Sequence, residues 1–162
     1  MNTQEIIKTE KAKISESSFA ACVVAFVLAF IKITVTVVRV FWGFDKNEPA
    51  EIIGKNVSYI FKSVVVTAAI IVLALMFKGI SKSGTPFKKE SVRSIRAVAV
   101  LLFVNSLVGP LSQTITIDVL NSDFKYPFAL NETYILFGII CMFIAQLFSY
   151  GCALQEDHDE TI

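Results

Sequence analysis

Histidine occurs once in this chain, at His158, and tryptophan once, at Trp42. Cysteine occurs three times, proline four times and glycine seven times. A single imidazole leaves no His-x-x-x-His pair for zinc and no second nitrogen ligand for a metal centre. No Ser-His-Asp arrangement, no glycine-rich phosphate loop and no pair of carboxylates within an apolar run stands out. His158 sits between Asp157 and Asp159 near the end of the sequence, where it reads as a surface group rather than a general base. These shortages argue against an enzyme, and no cofactor site is legible. Cys22, Cys141 and Cys152 lie in or beside apolar runs, without metal-like spacing to His158 and without a neighbouring cation. They read as small packing residues.

Charge is scarce as well. Charged residues make up 18% of the chain, against about 25% in a soluble domain. Hydrophobic residues make up 54% and the mean hydropathy is +0.64. That excess is gathered into long runs, which points to hydrocarbon as the solvent rather than to a large core. The net charge of +1 gives no reason to expect direct contact with nucleic acid. Four apolar runs with short connections account for all 162 residues, so one domain is expected.

The runs place spans at about 19–42, 57–77, 97–117 and 133–153, an all-α integral membrane four-helix transmembrane bundle. The first span is on the order of 36 Å long at helical rise. It carries Ala21, Ala25 and Ala29 at four-residue spacing, a face that lets another helix approach closely. Residues 1–18 are mixed in charge and read as a short surface helix running into that span. A signal peptide is not expected, since the apolar run is too long and lacks a cleavage site. Asn47-Glu48-Pro49 reads as a helix start and Gly54 as a stop, which predicts a single surface turn between the first two spans. Thr85-Pro86 reads as the start of the third helix. Lys88 and Lys89 in its first turn oppose the helix dipole, and the misfit asks for anionic company, from lipid headgroups or from an acidic segment. Within the third span, Pro110 is expected to kink the helix and free a carbonyl.

Cations fix the expected orientation. Lys8, Lys11, Lys13, Lys78, Lys82, Lys88, Lys89, Arg93 and Arg96 lie on one side, and Lys46, Lys55 and Lys125 on the other. Nine against three puts both termini, the basic loop 78–96 and the acidic tail 154–162 in the cytoplasm.

Two groups of side chains could carry function. In the outer half of the spans, Lys32, Arg39 and Lys62 fall near Asn105, Gln113, Asp118 and Glu132. A cation at the bilayer centre costs roughly 2.5–3.5 kcal/mol on insertion scales, so it is normally paired or wet. One reading is an outward-facing polar pocket for an anion or a peptide, with Asp118 and Glu132 as partners of the cations. The other is that Arg39 and Lys62 snorkel to headgroups and only Lys32 needs company. On the cytoplasmic side, Lys88, Lys89, Arg93 and Arg96 meet a tail holding Leu154, Gln155, Glu156, Asp157, Asp159, Glu160 and Thr161. The stripe and the tail can bind each other, the stripe can bind anionic lipid, the tail can recruit a basic partner, or both can simply be solvated.

The residues Gly84-Thr85-Pro86-Phe87 and Glu90-Ser91-Val92-Arg93-Ser94-Ile95-Arg96, with the closing Gly151-x-x-Leu154-Gln155 and Asp159-Glu160-Thr161-Ile162, resemble a bacterial family of small four-span membrane proteins classed as a domain of unknown function. The resemblance covers the whole chain by topology and these two patches by residue, and the outer loops share nothing with it. Members are commonly encoded beside a small Cro/CI-type helix-turn-helix regulator, and no catalytic residues are assigned to them. The resemblance therefore implies a multi-pass protein of the bacterial cytoplasmic membrane with a DNA-binding protein as partner. The expected function is regulatory or sensory and non-enzymatic, acting through the basic loop and acidic tail. The alternative is a small transport or self-protection component using the outer pocket, as a homo-oligomer.

Overall fold

A computed structural model describes residues 3–44, 48–121 and 129–160, and all regular structure among them is helical. Four helices follow in order: α1 Thr3–Trp42, α2 Ala50–Ser83, α3 Lys89–Asn121 and α4 Glu132–Glu160. They contain 40, 34, 33 and 29 residues. At 1.5 Å per residue each exceeds the roughly 30 Å of a hydrocarbon core. All four are long and apolar enough to cross a membrane. The second half of α1 is rich in β-branched residues, from Ile31 to Val40, which are weak helix formers in water. An apolar surrounding reverses that preference, because a backbone without water must satisfy its own hydrogen bonds.

The helix boundaries depart from expectation at three places. Gly54 does not stop a helix: α2 begins at Ala50, where the amides of Ile52 and Ile53 both donate to the Pro49 carbonyl (2.9 and 3.3 Å), and continues through Gly54. The residue is buried, and a Cβ there would lie 2.7 Å from the Ile117 side chain. Its missing side chain serves helix contact instead of termination, so no separate surface turn forms.

The stop comes at Gly84, whose φ of 65° is the left-handed conformation that closes α2; its amide donates to the Ile80 carbonyl at 2.8 Å. Helix α3 then starts at Lys89 rather than at Pro86. The first intrahelical bond runs from the Val92 amide to the Lys88 carbonyl at 3.2 Å. Phe87 stays outside the helix because its ring is anchored on α4, 5.5 Å from the Phe148 ring and against Gly151. The basic loop thus shrinks to residues 84–88. The acidic tail is the last turns of α4, helical to Glu160; Thr161 lies outside the described residues.

Neighbouring helices run antiparallel, and each packs only on its neighbours in sequence: α1 on α2, α2 on α3, α3 on α4. Among the described residues the assembly is therefore an open row, with α1 and α4 at its edges. Its interfaces draw heavily on small side chains, with Cys22, Ala25 and Ala29 of α1, Ala69 and Ala74 of α2, Ala99 of α3 and Ala145 and Cys152 of α4 buried, alongside the branched Ile80, Val92, Ile95, Val98 and Ile117. Small residues bring backbones close enough for dispersion to hold them. Large apolar residues point outward: Phe30, Phe41, Trp42 and Phe143 are all more than half exposed. This distribution suits hydrocarbon rather than water, where such a surface would aggregate.

Pro110 lies inside α3 and has no amide hydrogen for the Ser106 carbonyl four residues back. The freed carbonyl expected from the sequence is present, and the amide of Asn131, entering α4, donates to it at 3.3 Å.

Candidate functional site

The residues singled out by the sequence separate into the two ends of the row. At one end lie the start of α1, the α2–α3 turn and the end of α4. The Ser15 hydroxyl donates to the Ser81 carbonyl at 2.7 Å, and the Lys11 side chain packs beside Gly84. Ser83 tightens the turn by donating to the Thr85 carbonyl at 3.1 Å. Beyond the turn, Lys89, Arg93 and Arg96 recur at four and three residues along one face of α3. They border a cleft of about 370 Å³ whose other wall is Ser149, Cys152, Ala153 and Glu156 of α4.

Lys89 Nζ meets Glu156 Oε1 at 2.7 Å across this cleft. The hydrogen bond to that carboxylate, and then its charge, hold the Lys89 ammonium above its ordinary range; the residue lies outside the apolar segment 97–117. The anionic company that Lys89 requires is thus supplied within the chain. Both side chains of the pair are largely exposed, so solvent weakens it. Lys88, Gln155 and Glu90 border an adjoining cleft of about 350 Å³, while Leu154 is exposed on the same turn of α4.

At the other end the expected pocket divides. Lys32 and Arg39, seven residues apart on α1, both face the Tyr59 ring of α2, with Nζ 5.5 Å and Cζ 4.0 Å from its centroid. Their company is an aromatic face rather than the carboxylates of Asp118 and Glu132. A ring quadrupole accepts a cation without adding a buried charge. Asp118 is buried near the end of α3, and Glu132 is exposed at the start of α4.

Lys62 instead crosses to α3 and lies over Gly109, where a Cβ would overlap its side chain and oblige it to move. Lys62 and Gln113 share a cavity of about 370 Å³ with Pro110, Thr114 and the 129–131 segment. The Gly109 carbonyl accepts from Ser58 at 2.8 Å and from Ser112 at 2.9 Å. One turn earlier, Asn105 is fully buried, and neither its amide nitrogen nor its oxygen has a hydrogen-bond partner.

No family model, curated protein or solved structure matches the chain. The geometry must speak for itself.

Tyr59 was not singled out from the sequence, and Phe87 was marked only within the motif that carries the family resemblance, not as a contact. Tyr59 lies three residues before Lys62, so a ring one turn from a cation in an apolar run was the available signal. Phe87 lies beside the basic stripe, and its docking on α4 has no local signature. Among the described residues, no three His, Cys, Asp or Glu side chains converge as a metal site. What the arrangement offers is electrostatic recognition: an exposed cationic cleft at one end, and a half-buried lysine in a polar cavity at the other.

Proposed function

We propose that this is a non-enzymatic, regulatory or sensory protein of the bacterial cytoplasmic membrane, with four crossings, both termini in the cytoplasm, and the basic end as its working face. One observation carries the reading: α4 outruns its apolar segment as a helix and lays Glu156 on Lys89, so stripe and tail make one surface at the end where cations are concentrated. On that surface Leu154, Gln155 and Asp157 are exposed. An acidic helical extension of this kind complements a basic protein, and the resemblance to four-span proteins encoded beside helix-turn-helix regulators makes a small DNA-binding regulator the partner of choice.

The test is capture of soluble proteins from the native host by the detergent-solubilised chain, with and without residues 154–162. Tail-dependent recovery of a DNA-binding protein supports the reading. Recovery unchanged by the truncation overturns it.

A second reading rests on a different observation, the cavity holding Lys62 and Gln113 beside the proline-opened turn of α3. A polar cavity at that level fits a small transport or self-protection component. It requires Lys62→Met and Gln113→Leu to abolish function while the tail stays dispensable.

A further inference from the structure

We propose that the cleft between the first two turns of α3 and the end of α4 binds the phosphate of an anionic phospholipid, and that Glu156 competes with that phosphate for Lys89. The inference rests on reading the basic end as the working face, but it requires no protein partner.

The cleft is open on the cationic side. Lys89 is engaged by Glu156, whereas Arg93 and Arg96 are exposed and in no ion pair among the described residues. Two guanidinium groups on successive turns of one helix face offer planar forks that fit phosphate oxygens, and they hold their charge at any physiological pH. The Ser149 hydroxyl on the opposite wall adds a neutral donor.

Position selects a lipid over free phosphate. The apolar segment of α3 begins at Ala97 and that of α4 ends at Ala153, so the cleft sits where apolar surface gives way to polar surface. Below Arg96 the same stripe continues as Val100 and Val104, both exposed. A phosphate held by the arginines would therefore have its acyl chains running down an apolar track on the same helix face. A free anion gains nothing from that track.

Glu156 gives the site a built-in opponent. Its carboxylate occupies the Lys89 ammonium at 2.7 Å and repels a second anion in the same cleft. Removing the carboxylate frees the third cation and lifts the repulsion, so the variant expected to bind better is as informative as the one expected to bind worse.

The experiment titrates the full-length detergent-solubilised chain with phosphatidylglycerol, phosphatidylcholine and inorganic phosphate, counting bound molecules by native mass spectrometry. Phosphatidylglycerol is expected to bind well above phosphatidylcholine, and inorganic phosphate is expected not to displace it. Arg93→Gln with Arg96→Gln should weaken phosphatidylglycerol about thirty-fold, from the usual worth of a cation beside anionic lipid. Glu156→Gln should tighten it several-fold. Unchanged binding in the double arginine variant, weaker binding in Glu156→Gln, or displacement by inorganic phosphate would each overturn the proposal. The protein capture experiment uses no lipid, so the two readings fail separately.

Discussion

The two ends of this row handle positive charge in opposite ways. At the basic end, Lys88, Arg93 and Arg96 are exposed and Lys89 meets a carboxylate from another helix. At the other end, Lys32 and Arg39 lie against a ring and Lys62 lies over a glycine, none of them in an ion pair among the described residues. Exposed cations can attract something from outside; Lys32 and Lys62, which are half-buried, are spent on the protein's own cohesion, while Arg39 lies against its ring and stays exposed. The contrast teaches that a count of lysines and arginines shows where positive charge is concentrated, whereas its use depends on what the neighbouring helix presents.

The strongest way to break the comparison is to fill the place where Lys62 lies. Gly109→Leu puts a branched side chain into buried space already occupied, and should cost about 3 kcal/mol of stability, as overpacking at a closed interface does. Thermal unfolding in detergent reads this directly, and a wild-type midpoint would show that the Lys62 side chain yields its place without cost.

Next in size is Asn105→Leu. A buried amide with both atoms unpaired carries a penalty of about 1–3 kcal/mol, so the apolar replacement should raise the unfolding midpoint. A lower midpoint would mean that the amide is satisfied in the folded protein and that the end opposite the basic one is more than a packing device.

Tyr59 sharpens the contrast by chemistry. Tyr59→Leu should lower stability by about 1 kcal/mol through loss of the ring beneath two cations, while Tyr59→Phe keeps most of it. Equal losses in both variants would assign the effect to the hydroxyl instead. The smallest effect is expected at the basic end, where Lys89→Gln should leave the unfolding midpoint within error, because an exposed ion pair adds little. A clear drop there would erase the distinction between the ends.

How much of this was legible follows from where the information sits. Helix number, approximate helix positions and the small-residue face at Ala25 and Ala29 follow from runs of apolar residues, which are local. The carbonyl freed by Pro110 was legible because a missing amide is a property of proline itself. Its acceptance of the Asn131 amide was not, since that contact joins residues 25 positions apart. Gly54 and Pro86 misled for one reason. Each signals a helix end when isolated, and each was overruled by a distant side chain, Ile117 in one case and Phe148 in the other. The candidate pocket residues are divided between the Tyr59 ring and the Lys62–Gln113 cavity, because helical spacing gives the level of a side chain but not the neighbour it faces.

The sequence by itself determined that this chain forms four helices long and apolar enough to cross a membrane, since about 20 consecutive apolar residues have few ways to be solvated. It also determined the concentration of cations at one end of the row. Only the tertiary structure decided that the helices stand in an open row, that Lys32 and Arg39 meet Tyr59, and that Glu156 reaches Lys89. The physical reason is that hydropathy acts on each residue through its solvent, whereas pairing depends on helix rotation. Rotation is set by which small faces, at Gly54, Ala99 and Ala145 among others, let two backbones come together.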